Sequence, residues 1–151
     1  MPTSRSTGTK KRKHIGIASD HTGIELMQYL AATLREAGYH VTAFGSHLLQ
    51  NNDHRPDFIA PLAGAIAGGS MDSGIAICGG GQGAAAAANV FTGVRARPVD
   101  ETFIDQPAFE DKDLNLICLD GRVVSRAATW ELVHNFLTRC FSRTRRPAQP
   151  T

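Results

Sequence analysis

The sequence predicts a doubly wound, Rossmann-like α/β fold: a mostly parallel sheet of five strands with helices on both faces. Short apolar runs alternate with helical patterns along the chain, and this alternation is typical of parallel strands joined by helical crossovers. The strand runs are almost continuously apolar, as expected of strands buried on both faces. A length of 151 residues suits one domain.

The N-terminal part of this pattern predicts two strands with a helix between them. The strands are expected at 14–18 and 40–44. Between them, apolar residues recur with helical period after a capping-box pattern formed by Thr22 and Glu25. Gly38 is expected to end this helix.

The rest of the chain predicts three further strands and four helices, after a polar loop at 45–55. The strands are expected at 74–77, 94–98 and 114–119. The helices are expected at about 56–67, at 82–89, in a short stretch within 101–109, and after Ser125 as N-cap. Pro61 is expected to kink the first of these helices or to delay its start.

Both ends of the chain are basic, which leaves 14–146 as the domain between a disordered leader at 1–13 and a flexible tail at 147–151. No aromatic residues interleave with the N-terminal charges, which argues against a nucleic-acid partner. No apolar run approaches the roughly 20 residues that span a bilayer, so no membrane association is expected. Three cysteines at no metal-like spacing, and no signal-peptide pattern, indicate a reducing cytoplasmic location and no metal.

The most informative segment is 75–83, in which a short apolar strand ends at Cys78 and glycines crowd the following turn. A loop so poor in side chains leaves backbone N–H groups facing a ligand, and the helix N-terminus behind it favours negative charge. Such a loop is suited to a carboxylate, a phosphate or an enediolate oxygen. The segment is not a P-loop, because no Gly-Lys-Ser/Thr follows, and it fits a dinucleotide fingerprint only loosely.

Cys78 has two interpretations. Beside a developing enediolate, a cysteine suggests proton abstraction next to a carbonyl. Alternatively it is an inert, buried small residue, as we expect for Cys118 and Cys140, which lie in apolar patterns.

Asp20 and His21 follow the first strand. Ligands of such sheets bind outside the carboxyl ends of the strands, so this pair is expected to meet the segment around Cys78. The pair is suited to contact a sugar hydroxyl and an anion. Alternatively, Asp20 only satisfies local N–H groups.

Four groups of residues occur in the order and spacing of one known family. They are Ser19-Asp20-His21-Thr22-Gly23, Ile77-Cys78-Gly79-x-Gly81-x-Gly83, Ala87-Ala88-Asn89 with Gly93-Val94-Arg95-Ala96, and Asp113-x-Asn115 with Gly121-Arg122-Val123-Val124. With these motifs the chain resembles the ribose-5-phosphate isomerase type B / galactose-6-phosphate isomerase family over nearly the whole domain. The resemblance implies an aldose–ketose isomerase of a small phosphorylated sugar that uses no cofactor.

The resemblance also implies roles for individual residues. Cys78 matches the base that moves a proton between C1 and C2 of the sugar. Asp20 matches a residue that binds substrate, and we count it with Cys78 among the catalytic residues. The amides that would hold the enediolate oxygen are those of Gly79, Gly80, Gly81, Gln82 and Gly83. The residues that would bind substrate or its phosphate are His21, Asn89, Arg122 and Arg145. The family builds each site across a subunit interface, which implies a homodimer or homotetramer.

Three positions depart from the family pattern. Gly80 stands where a Thr or Ser is usual, Gln149 where a second C-terminal arginine is usual, and Asp111 where a histidine opens the sugar ring. An aspartate is a poor proton donor near neutral pH. A tetrose 4-phosphate cannot close a five-membered ring and needs no opening, so we expect a four-carbon substrate of the erythrose/erythrulose type. The alternatives are a ribose-5-phosphate or hexose-6-phosphate isomerase in which His21 or Asp111 opens the ring, and a non-catalytic phosphate-ligand binding protein.

Overall fold

The computed structural model of the protein describes residues 13–45, 58–79, 82–100, 113–121 and 125–144. The strands are β1 (His14–Ser19), β2 (His40–Gly45), β3 (Ser73–Cys78), β4 (Ala96–Val99) and β5 (Leu116–Asp120). The helices are α1 (Ile24–Glu36), α2 (Ile59–Ala67), α3 (Gln82–Ala88) and α4 (Arg126–Thr144), and a 3-10 turn (His21–Gly23) precedes α1.

The five strands form one parallel sheet in the order β2-β1-β3-β5-β4. The chain leaves β1 in one direction to form β2 and then crosses to the other side of β1 to form β3. The strand order therefore reverses between β1 and β3, and the carboxyl ends of these two strands border the crevice in which such folds bind ligands. The predicted doubly wound fold is confirmed.

Helices cover both faces of the sheet, and this explains why β3, the central strand, is apolar after its first residue, Ser73. Ile75 and Ile77 pack into a cluster with α1 and α4, whereas Ala76 and Cys78 pack into a second cluster with α2 and α3. All six residues of β3 are buried. Burial of each large aliphatic side chain contributes about 1.5–3 kcal/mol. Within the described ranges, no helix is long and apolar enough to cross a membrane.

The ends of the predicted elements are confirmed where glycine or a capping side chain sets them. Gly38 ends α1 with a positive φ of 102°. The Ser125 hydroxyl accepts the N–H of Ala128 at 3.0 Å as the N-cap of α4. The predicted strand at 94–98 is displaced, since pairing begins only at Ala96. Residues 1–12 of the predicted leader, 46–55 of the predicted loop, the helix expected within 101–109 and the tail at 147–151 lie outside the described residues.

Two predictions about helix starts have different outcomes, since the late start of α2 is confirmed and the capping box of α1 is wrong. α2 begins at Ile59 rather than near residue 56, and Pro61 sits in its first turn, where a missing N–H costs no intrahelical bond. Pro61 thus marks a late start and not a kink. The capping box at Thr22 and Glu25 is wrong: Asp20 caps the 3-10 turn, and α1 begins behind Gly23 without a side-chain cap.

Two glycines allow three chain segments to approach closely at the carboxyl end of β3. A Cβ atom on Gly23 would lie 2.3 Å from Cγ2 of Ile77 and 2.8 Å from Oγ of Ser19. A Cβ atom on Gly121 would lie 2.9 Å from the same Ile77 methyl group and 3.1 Å from Cα of Gly23. The turn after β1 and the turn after β5 therefore both pack directly on Ile77.

This close packing predicts that Gly23→Ala destabilises the fold by about 1–3 kcal/mol, the usual cost of overpacking a tight core. Gly64→Ala is the matched control, because Gly64 lies inside α2 and its new methyl group would come no closer than 3.8 Å to Phe91. The control is expected to stabilise by about 0.5–1 kcal/mol through helix propensity. Urea unfolding measures both changes, and equal stability of the two variants would contradict the packing argument.

Candidate active site

Three polar side chains stand in a row at the carboxyl ends of the three central strands. Cys78 is the last residue of β3 and is 5% exposed. On one side it pairs in register with Asp120, the last residue of β5. On the other side, Asp20 follows β1 directly, and its N–H donates to the carbonyl of Ile77 at 3.0 Å. The structure thus brings Asp20 and Cys78 together, as the sequence predicts, and adds Asp120.

Asp120 was missed by the sequence analysis. The signal that could have found it is the rule that located Asp20: an acidic residue directly follows the apolar run 116–119, at the carboxyl end of a strand. What the sequence does not contain is the strand order, which places β5 next to β3.

Asp20 ties the turn after β1 to the glycine-rich loop after β3. One carboxylate oxygen accepts the N–H of Thr22 at 2.9 Å and also accepts its hydroxyl group. The other oxygen accepts the N–H of Gly79 at 3.1 Å. Hydrogen bonds from backbone N–H groups to a carboxylate are among the stronger ones in proteins. Asp20 therefore satisfies local N–H groups and also fixes the residue that follows Cys78.

The glycine-rich loop is described only in part. Gly79 is exposed and donates its N–H to Asp20, so this amide has an acceptor within the protein. Gln82 and Gly83 open α3, and Gly83 is exposed. Gly80 and Gly81 lie outside the described residues.

The remaining predicted site residues fall into two groups. His21 is exposed and opens the 3-10 turn directly after Asp20, at the rim of the crevice. Asp111, Arg122 and Arg145 lie outside the described residues.

Two asparagines of the sequence motifs have backbone partners. Asn89 follows α3, and its amide group accepts the N–H of Ala96 at 2.7 Å and donates to the carbonyl of Ala96 at 3.0 Å. Asn115 precedes β5, accepts the N–H of Arg95 at 2.9 Å and donates to the carbonyl of Gly93 at 3.0 Å. Both side chains therefore hold the segment at the start of β4.

The three thiols have different surroundings, and none is in a disulfide. Burial raises the pKa of Cys118 well above its usual range, and the neighbouring Cys78 adds a smaller rise. Cys118 therefore stays protonated within the core, as predicted. Cys140 is also a core residue, as predicted, and its sulfur lies 3.2 Å from the hydroxyl of Ser73. In the described part of the chain, no three His, Cys, Asp or Glu side chains form a group that could hold a metal ion.

Cys78, Asp20 and Asp120 lie at the switch point of the doubly wound sheet, which is where such folds bind small molecules. Residues 15–149 match the sequence model of the family described as Ribose/Galactose Isomerase. The chain belongs to this family. Its class is accordingly that of the aldose–ketose isomerases of sugar phosphates.

Curated relatives are named for different substrates. Ribose-5-phosphate isomerase B of Escherichia coli is 37% identical over 112 residues, which cover 74% of each protein. 4-Deoxy-4-sulfo-D-erythrose isomerase of Clostridium sp. is 32% identical and covers 83% of this chain and 79% of that protein. D-Erythrulose-4-phosphate isomerase of Pectobacterium atrosepticum is 30% identical and covers 82% and 81%.

Solved structures agree with the family. Ribose-5-phosphate isomerase B of Clostridium thermocellum superimposes with a TM-score of 0.73 at 37% identity, covering 82% of this chain and 83% of that one. The enzyme of Mycoplasma genitalium, with bound ribulose-5-phosphate, also has a TM-score of 0.73, at 35% identity and 82% coverage of each chain.

The contacts of Asp20 predict that Asp20→Asn and Asp20→Ala separate activity from stability. Asparagine remains a good N-cap, but one amide can accept at only one of the two positions, so the tie to Gly79 weakens. We expect both variants to lose kcat/KM, and Asp20→Ala to lose about 1 kcal/mol more stability because its cap is gone. Urea unfolding and isomerase assays measure the two effects. Full activity of Asp20→Asn would contradict a positioning role for this tie.

Proposed function

We propose that this protein interconverts an aldose phosphate and a ketose phosphate, with Cys78 as the base that carries a proton between C1 and C2. The observation that carries the proposal is the position of Cys78. It ends the central strand at the switch point, beside Asp20 and directly before the amide that Asp20 fixes. Membership of the Ribose/Galactose Isomerase family supports the same assignment.

The surroundings of Cys78 suit a base. A proton next to a carbonyl is removed efficiently only when the base is held in place and shielded from water. Cys78 is 5% exposed at the edge of the crevice, whereas Cys118 behind it is 1% exposed. Burial keeps Cys118 protonated, so this thiol is not the base. We assign the reactive thiolate to Cys78.

The enediolate needs N–H donors aimed at its developing charge. Because the amide of Gly79 donates to Asp20, we assign this task chiefly to the amides that follow: Gly80, Gly81, Gln82 and Gly83. We assign Asp20 the task of holding the loop. The side chain of Asn89 bonds the backbone of Ala96. We therefore assign Asn89 an indirect role, in which it fixes the end of α3 against β4.

The phosphate is proposed to meet His21, which lies exposed at the rim, together with Arg122 and Arg145. Arginine forks match phosphate oxygens well. We further propose that a second copy of the chain completes each site, in a homodimer or homotetramer. Three thiols outside any disulfide support a cytoplasmic location.

We propose that the substrate has four carbons. Asp111 stands where the family pattern has the ring-opening histidine. A sugar whose fourth carbon carries the anionic group cannot close a five-membered ring, so the loss of a ring-opening group costs such an enzyme nothing. Relatives named for erythrulose 4-phosphate and for 4-deoxy-4-sulfo-erythrose support this choice. The E. coli relative named for ribose 5-phosphate marks the alternative.

Cys78→Ala is expected to lower turnover of erythrose 4-phosphate by at least about 100-fold, the usual contribution of a general base. Cys140→Ala is the matched control, since Cys140 is equally buried but lies at the other end of β3, against Ser73. The control is expected to lose stability and keep its rate. Isomerase assays, with circular dichroism for the fold, decide the matter. A folded Cys78→Ala protein with a near-wild-type rate would remove the base assignment.

The substrate proposal predicts a higher kcat/KM for erythrose 4-phosphate than for ribose 5-phosphate. Asp111→His is expected to raise activity on ribose 5-phosphate and to leave activity on erythrose 4-phosphate nearly unchanged, because only the five-carbon sugar must be opened. Steady-state kinetics on both sugars measure the two ratios. A wild-type preference for ribose 5-phosphate would overturn the four-carbon substrate and leave the isomerase reaction in place.

A further inference from the structure

Asp120 lies on the same face of the sheet as Cys78. The parallel register pairs Ala76 with Cys118 and Cys78 with Asp120. Ala76, Cys78 and Cys118 all belong to the cluster under α2 and α3. Because successive side chains of a strand alternate between faces, Asp120, two residues after Cys118, points to that face as well. Neighbouring strands lie about 4.8 Å apart, so the carboxylate and the thiol are adjacent.

The backbone around Asp120 is held firmly. The next residue, Gly121, donates its N–H to the carbonyl of Cys78 at 3.3 Å and packs against Ile77 and Gly23. Asp120 itself is half-buried, whereas Cys78 is almost fully buried. The carboxylate therefore stands beside the thiol but nearer to solvent.

Aldose–ketose isomerisation moves two protons, one between carbon atoms and one between oxygen atoms. The first proton passes from C2 to C1. The second must leave the hydroxyl on O2 and reach O1, and a carboxylate beside the base is suited to accept this proton and return it. Asp20 has a different task, because its carboxylate holds the turn after β1 and the loop through Thr22 and Gly79, and protonation would disturb both contacts.

We propose that Asp120 is the catalytic residue that carries the proton from O2 to O1; this inference rests on the proposed isomerase function with Cys78 as base. The Cys78 thiolate takes the proton of C2, the C2–H electron pair forms the C1=C2 bond, and the carbonyl pair moves to O1. The Asp120 carboxylate accepts the proton of O2 and delivers it to O1. The carbonyl then forms at C2, and the Cys78 thiol returns its proton to C1.

The substrate of the test is D-erythrose 4-phosphate in D2O. The test compares the rate of conversion to the ketose phosphate with the rate of deuterium incorporation at C2 of the aldose. Asp120→Asn keeps the size of the side chain but cannot carry the proton. Conversion is expected to fall about 100-fold with little change in KM. Exchange is expected to fall far less, because Cys78 still forms an enediolate, which now lives longer and returns more often to substrate. The ratio of exchange to conversion should rise at least about tenfold.

Matched variants make the result specific. Asp72→Asn removes an exposed carboxylate just before the start of β3, where the new amide oxygen can still accept the N–H of His14. This control is expected to match the wild type. Asp120→Glu keeps a carboxylate and is expected to recover part of the conversion. Asp120→Ser provides a second deletion of the carboxylate if the asparagine variant does not fold.

The outcomes separate this inference from the function beneath it. Parallel losses of exchange and conversion in the Asp120 variants, or wild-type conversion, would overturn the role of Asp120 while the wild-type enzyme still isomerises the sugar. Exchange that survives in Cys78→Ala would instead overturn the base assignment. A raised ratio in Asp120→Asn together with no exchange in Cys78→Ala supports both.

Discussion

The arrangement at the end of β3 depends on how closely the backbone of the turn after β1 and that of the turn after β5 approach Ile77. Gly23 and Gly121 leave no room for a side chain there, and their contact places the ends of β1, β3 and β5 at one level. Asp20 then has the amide of Gly79 within reach, and Gly121 has the carbonyl of Cys78. A wider separation would break both hydrogen bonds and disperse the three polar side chains.

Much of this arrangement could be predicted from the sequence, because local chemistry determines it. A buried strand that ends in Cys78, a bare loop behind it, and Asp20 after the first strand are visible as patterns. The rule for parallel sheets then brings them together. Helix ends were predicted where one residue decides them, as with Gly38 and Ser125.

The remaining features depend on contacts between residues far apart in the chain. Asp20 and Gly79 are 59 residues apart, so no local pattern shows that the carboxylate caps its own turn and also holds the loop. The Thr22 and Glu25 pattern was misleading because Asp20 accepts the N–H of Thr22, which is the group that Glu25 would accept in a capping box. Asp120 gains its meaning only from the strand order, which local periodicity does not contain.

The segment that contains the glycine-rich loop and α3 has a hydrogen-bonded anchor on each side. Asp20 holds Gly79, just before the loop, and Asn89 holds β4 immediately after the helix through two hydrogen bonds to Ala96. Gly79 and Asn89 therefore have fixed partners before any ligand is present. A ligand that binds beside them does not have to order these two flanks, and the conformational entropy that binding costs is reduced by that amount.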